Sequence, residues 1–359
     1  MKTFICDTHA DTLMRMTDLG YRLDDERLQV SLPKMRKGGH DLQIFACFID
    51  PAVGKERYIS RTLGMIDLMR REIAMHRREI ALCGSMKEIG RARAAKKKIA
   101  LLGLEGGHAI ANDLSILRTY RQLGIVYMTL AWSNTNDWCD SSNDEERWGG
   151  LTQFGHEVVR EMNRIKMMVD ISHVSDKAFW HALRTSTKPL IASHSSVRSL
   201  CNHPRNMSDE MIKALAEKGG VMFINFYPAF IHDGFRIARD KVGSRMQRRI
   251  NAANAKWQNR PEMYNYEEEK IMQGVVHTLP QVKMQDVIRH IQYVVKIAGV
   301  EAVGFGSDFD GIPFAPEGLQ DCTGMPALCD ALRKRGFKPS AVEKIAGGNF
   351  LRVFQDIVG

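Results

Sequence analysis

The sequence predicts an α/β protein built as a TIM-like (β/α)8 barrel, and three observations predict it. Short, continuous apolar runs recur along the chain, as expected of parallel strands buried on both faces. Amphipathic stretches at helical spacing separate them. Eight such alternations fit into 359 residues, the length of one large barrel. An open doubly wound sheet is the weaker alternative, because no Gly-x-Gly-x-x-Gly turn follows an early strand.

Phe4-Ile5-Cys6 reads as the first strand and leads into Asp7-Thr8-His9-Ala10-Asp11. A polar stretch over 18–33 precedes the second strand, 42–49. Residues 56–80 then place Ile59, Leu63, Ile66, Met69, Ile73 and Ile80 near helical spacing, which predicts a long amphipathic helix. The third strand, 99–104, ends at Glu105-Gly106-Gly107-His108. A helix over 114–123 stops at Gly124, and the fourth strand covers 125–131. A loop rich in Trp, Asn and Asp, 132–148, precedes a helix that opens at Gly149 and runs through Asn163. The fifth strand, 167–173, the helix 175–186 and the sixth strand, 189–194, follow in order. Ser208 suits the N-cap of a helix over 208–218, with Gly219-Gly220 beyond its end. The seventh strand covers 221–227 and the eighth 302–308, with a helix over 284–298 before it and two closing helices after it. Between the seventh and eighth strands, residues 228–282 break the rhythm and read as a helical insertion. It carries Arg236, Arg239, Lys241, Arg245, Arg248 and Arg249, then the acidic patch Glu267-Glu268-Glu269. Residues 1–359 thus read as a single barrel domain with one insertion.

The net charge of +9 raises the question of nucleic acid. No zinc-finger pattern, aromatic-basic RNA-binding strand or long Lys/Arg tail supports it, and a solvated basic surface is the better reading. The seven cysteines are scattered and form no CxxC pair, which suits reduced thiols in a cytoplasmic setting. No secretory leader precedes the first strand, and no apolar run approaches the ~20 residues that span a bilayer. The expectation is a cytoplasmic protein with neither a membrane nor a nucleic-acid partner.

In a barrel the C-terminal strand ends converge on one rim, where active sites sit. The residues there are His9 and Asp11 after the first strand, Glu105 after the third, His173 after the fifth, His194 after the sixth, and Asp308, with Asp310, after the eighth. Singly, each has a plainer reading as a helix cap or a loop hydrogen bond. Together they put five metal-type side chains and a spare carboxylate on one rim, where unpaired charges would be costly to desolvate. Five N/O donors exceed the three of a catalytic single-zinc site, so the count suggests two metals with Glu105 as the bridge between the His9/Asp11 pair and the His173/His194 pair. Imidazole-plus-carboxylate donors suit zinc and leave manganese and iron open.

With these residues in hand, the chain resembles the membrane (renal-type) dipeptidases, the M19 metallopeptidases of the amidohydrolase-like barrel group. The motifs that carry the resemblance are Asp7-Thr8-His9-Ala10-Asp11, Glu105-Gly106-Gly107-His108, Asp170-Ile171-Ser172-His173-Val174-Ser175, Ser193-His194-Ser195-Ser196, Arg205-Asn206, Asn225-Phe226-Tyr227 and Gly304 to Gly311, in that order. The resemblance implies two zinc ions, one on His9, Asp11 and Glu105, the other on Glu105, His173 and His194. It implies Asp308 as the acid/base residue and Arg205 as the clamp on a dipeptide's C-terminal carboxylate, for which a guanidinium fork is well shaped. It also implies tolerance of a D-residue at the C-terminal position and attack on carbapenem-type amides. The chain departs from the animal members at Trp132, where they carry a substrate-contacting His, and at Phe230, where they carry a Tyr. A Trp offers an apolar wall and an indole N–H but no cationic donor, so substrate preference does not transfer directly.

The expected activity is therefore zinc-dependent dipeptide hydrolysis by a hydroxide held between the ions. Two readings remain beside it: another two-metal hydrolase acting on a cyclic amide, lactone or N-acyl amino acid, and a non-catalytic binding protein on the same barrel. The insertion is left with three roles: a lid, a homodimer contact or a basic surface.

Overall fold

Eight strands form at the apolar runs and close a ring, and a ninth pairs beside it. The computed structural model describes residues 3–359. The strands are β1 (Cys6–Ala10), β2 (Leu42–Phe48), β3 (Ile80–Leu82), β4 (Lys98–Glu105), β5 (Ile125–Thr129), β6 (Met168–Asp170), β7 (Leu190–Ser195), β8 (Val221–Ile224) and β9 (Val303–Phe305). All pair in parallel, in the order β1-β2-β4-β5-β6-β7-β8-β9. The ring closes through Ala10 and Phe309, with Asp11 N donating to Phe309 O at 2.8 Å and Asp308 N to His9 O at 3.1 Å.

Alternate positions on the strands feed two apolar clusters, as the period of two requires. Phe45, Leu102, Ala192 and Ile224 join the cluster that the surrounding helices share through Leu13, Met65, Leu117 and Val287. Their neighbours Ile44, Leu101, Ile191 and Phe223 join the other, together with Phe350 and Phe354 of the last helix. With one strand face packed on helices and the other on this second cluster, the strands need the continuous apolar runs seen in the sequence.

Two expectations need correction. The first strand is Cys6–Ala10, so the polar Asp-Thr-His run lies within it. The helix predicted over 56–80 ends at Met75, and Ile80 opens β3, a strand the sequence did not predict. β3 pairs with Lys98–Ala100 of β4, along the stretch that β5, pairing from Leu102 onward, leaves free. The insertion is helical as expected, with Pro228–Ile231, Asp233–Trp257 and Pro261–Gln273 between β8 and β9. Ser208 caps its helix by accepting from Met211 N at 3.3 Å. Among the described residues no helix is long and apolar enough to cross a membrane, and all seven cysteines are buried thiols.

Candidate active site

The rim brings the expected side chains to one point. His9 Nε2 lies 3.3 Å from Glu105 Oε2 and 3.5 Å from Asp11 Oδ2. On the other side, Glu105 Oε1 lies 3.0 Å from His173 Nε2 and 3.5 Å from His194 Nε2. The two oxygens of one carboxylate thus face two sets of imidazole groups. Asp308 Oδ1 stands 4.0 Å from His9 Nε2, and its Oδ2 accepts from Asn225 Nδ2 at 2.9 Å. Potential ligand atoms of His9, Glu105 and His194 lie within 4.8 Å of one another, as do those of His9, Asp11 and Asp308. Asp308 is therefore closer to the donor set than a remote acid/base residue would be.

Local backbone irregularity aims these groups. The β1–β2 register shifts between Asp7 and Ala10, and the β7–β8 register between Ala192 and Ser195, which are the positions of His9 and His194. His173, Asp308 and Asp310 adopt left-handed φ values of 69°, 67° and 66°, a conformation that costs energy outside glycine. Gly311 is required by space: a Cβ there would lie 2.0 Å from Asp11 Oδ2 and 2.7 Å from Asp308 Oδ1.

Hydrogen-bond chains orient the imidazole rings. Tyr127 reaches across from β5 and donates its single hydroxyl proton to Thr8 O at 3.2 Å. It must then accept from His9 Nδ1, 2.8 Å away, which leaves the His9 Nε2 lone pair facing the site. Ser193 Oγ donates to Asp170 Oδ2 at 2.6 Å and lies 2.7 Å from His194 Nδ1, which frees the His194 Nε2 lone pair by the same logic. Gly103 makes the first chain possible, since a Cβ there would meet the Tyr127 ring at 2.3 Å. Asp7 accepts from Ser307 N at 2.8 Å and so ties β1 to the end of β9.

The electrostatics are those of a site short of positive charge. Burial works to raise the Glu105 carboxyl, but His9, His173 and His194 hold it well below the usual range. Burial, with Glu105 beside it, pushes Asp11 well up. Asp308 is raised by burial, with His9 opposing and Glu105 adding to the rise. Burial and Arg205 push His173 down to about 3. Burial and His9 push His194 well down. Burial opposes a proton on His9, but Tyr127, Glu105 and Asp11 outweigh it and hold its pKa well up.

A cavity of about 320 Å³ opens over this rim. Asp11, Glu105, His173 and Asp308 line its base, Trp132 and Phe48 one wall, and Tyr227 and Phe230 another. Trp132 packs on Phe48 at 4.8 Å between ring centres and stands 6.4 Å from the His173 ring. Arg205 is not on the cavity wall. It is 3% exposed, with Nη2 donating to His194 O at 3.0 Å and Nη1 to Ser195 Oγ at 3.2 Å, and its guanidinium carbon lies 5.7 Å from the centre of the Phe230 ring.

Residues 1–358 of the 359 match the family model of the membrane dipeptidases, peptidase family M19. The chain belongs to this family. It is 32% identical over 340 residues to the uncharacterized dipeptidase C965.12 of Schizosaccharomyces pombe, covering 90% of this chain and 71% of that one. It is 27% identical to dipeptidase 3 of Rattus norvegicus over 98% of its own length and 65% of the relative's. Its fold matches the probable dipeptidase PvdM of Pseudomonas aeruginosa with a TM-score of 0.86 at 22% identity, over 99% of this chain and 96% of that one. A metallopeptidase of Rhodobacter sphaeroides matches with a TM-score of 0.80 at 23% identity, over 99% of this chain and all of that one. The protein is thus an M19 metallo-dipeptidase.

M19 membership implies divalent metal, and the side chains present fit it. His9 Nε2 and Asp11 Oδ1 are buried without a hydrogen-bond partner, and His9 Nε2 faces Glu105 Oε2 at 3.3 Å. Buried donors and acceptors are rarely left unpaired unless an unseen partner completes them. Sequence reasoning missed Tyr127, whose hydroxyl acts across the barrel and whose place in an apolar run looks like core. Asp170 left a signal, a carboxylate inside the apolar run of β6, which can be buried only with partners.

Proposed function

We propose that this M19 chain hydrolyses the peptide bond of free dipeptides, L,D as well as L,L, with two zinc ions bound by His9, Asp11, Glu105, His173 and His194. One observation carries the reading: a single buried carboxylate, Glu105, presents one oxygen to His9 and the other to His173 and His194. Bound there, the metals would polarise the scissile carbonyl and lower the pKa of a water molecule toward neutrality. The remaining work falls to the chain itself. Asn225 holds Asp308 Oδ2, so Oδ1 is the oxygen free to take a proton and return it to the leaving amine. Arg205, positive behind Phe230, draws the substrate's carboxylate toward the His173/His194 side of the cavity. Trp132 and Phe48 form the apolar wall that shields the reacting bond from water.

The Rhodobacter sphaeroides fold neighbour was solved with a phosphinate mimic of L-Ala-D-Ala, which makes L,D dipeptides the natural companions to L,L in an assay. The test is hydrolysis of both series by metal-depleted protein and by the same protein after zinc is restored. The reading expects turnover only after restoration. Equal turnover without metal, or cleavage of N-acyl amino acids and lactones but no dipeptide, would overturn it.

A further inference from the structure

The insertion roofs the substrate cavity. Asn265, Tyr266, Glu268, Glu269 and Met272 of the helix Pro261–Gln273, and Arg239 of the helix Asp233–Trp257, line it. Three contacts rivet this roof to the barrel. Glu269 accepts from Arg15 Nη2 at 2.9 Å, Tyr266 donates to Asp18 Oδ2 at 3.2 Å, and Asn265 donates to Asp50 Oδ2 at 2.9 Å.

Most charges around the cavity are spent on one another. Arg15 is shared between Glu269 and Asp310, and Asp11 and Asp308 belong to the rim. Arg239 differs. Its ion pair is with its exposed helix neighbour Asp240, 3.5 Å away and 54% exposed, while Glu268 on the same cavity wall acts on it from beyond ion-pair distance. Its neighbour toward the cavity is Tyr227, which packs edge-on against Phe230 at 4.9 Å. The Arg205 guanidinium lies against the same Phe230 ring. His203, also packed on Phe230 at 4.7 Å, is pushed down to about 4 by burial and then by Arg205, Arg236 and Arg239, with Asp240 opposing. One side of the cavity therefore carries clustered guanidinium charge, of which only Arg239 reaches the wall.

We propose that Arg239 is a subsite for a second carboxylate, so that the enzyme selects dipeptides whose C-terminal residue has an acidic side chain. The proposal rests on the dipeptidase reading, in which Arg205 draws the main-chain carboxylate to the same side. A guanidinium fork prefers a carboxylate to the isosteric amide, which returns neither the charge nor two acceptors.

The experiment compares kcat/KM for Ala-Asp with Ala-Asn, and Ala-Glu with Ala-Gln, in both C-terminal configurations. The expected acid-to-amide preference of the zinc-loaded enzyme is about 10-fold, the size of one part-exposed charged hydrogen bond. Arg239→Gln should collapse that ratio to about one, and Arg239→Glu should shift preference to Ala-Lys over Ala-Gln. Arg245→Gln, exposed on the same helix, should keep the wild-type ratio and so controls for net charge. A wild-type ratio near one, or a preference that survives in Arg239→Gln, overturns the subsite. Ala-Ala turnover separates the two readings: with Ala-Ala cleaved and no acid preference only the subsite falls, and with no dipeptide cleaved both fall.

Discussion

The strand ends beneath the cavity and the helices above it aim charged groups at the same space but hold them by different means. Below, His9 and His194 are 0% and 1% exposed, and single-proton chains through Tyr127 and through Ser193 to Asp170 fix each ring. Above, Glu269 and Arg15 are 17% and 16% exposed at the side chain and rely on an ion pair. A buried chain with one permitted proton arrangement gives position at the cost of tolerance. A part-exposed ion pair is worth little and is screened by salt. The rim is thus where chemistry is fixed, and the roof is where substrate preference can vary without disturbing it.

The sharpest way to break the lower half is Glu105→Gln. It should abolish turnover and reduce bound metal, because the neutral amide cannot balance charge on both sides at once. Metal analysis alongside the assay separates this from misfolding. Asp308→Asn should lower kcat by about 10²- to 10⁴-fold, the range for losing a general acid/base. Unchanged kcat with intact metal content would remove Asp308 from the proton path.

Acid destabilises the barrel through imidazoles buried in it. His40, 0% exposed, is pushed down to about 4 by burial. Unfolded, it titrates near its ordinary pKa of about 6.5. Above that pH both states are neutral and His40 contributes nothing. As the pH falls, the unfolded chain binds a proton that the folded chain refuses, and stability is lost by about 3 kcal/mol at pH 4. Denaturant titrations between pH 7 and 4 should show this slope, and His40→Leu should flatten it. His290, also held at about 4 chiefly by burial, adds a slope of the same sign.

Tyr127→Phe should weaken metal binding by about 10- to 100-fold, the usual effect of removing a group that orients a ligand. Because the phenyl ring keeps the packing beside Gly103, unaltered metal affinity would show that the hydroxyl does not set the His9 tautomer. Glu269→Gln should have the smallest effect, about 1 kcal/mol or less of stability, read by thermal melting at low salt. The difference from wild type should shrink as salt is added.

The same contrast explains what was legible in the sequence. The rim residues stand directly after apolar runs, so His9, Glu105, His173, His194 and Asp308 could be placed on one rim from strand order alone. Alternation aligned His9 with Asp11, although Asp11 lies just beyond β1 at φ −90° as the residue that opens the next helix. β3 escaped because Ile80 also completes the helical spacing of the preceding segment, and three residues are too few to show a period. The roof's part in the cavity was legible only as one of three open roles for the insertion, a lid. Arg239 and Glu269 sit in charge-rich helices that look like solvated surface, yet both line the cavity, and contacts to Asp18, Asp50 and Arg15 hold the helix of Glu269 there.

The most direct test of the central claim is a zinc titration of metal-depleted protein, with bound metal and dipeptide hydrolysis followed together. Two ions per chain, with turnover that rises as the sites fill and a lower metal count in Glu105→Gln, is the predicted result. Undiminished dipeptide turnover in metal-free protein, or two ions still bound after Glu105 is replaced, would contradict it.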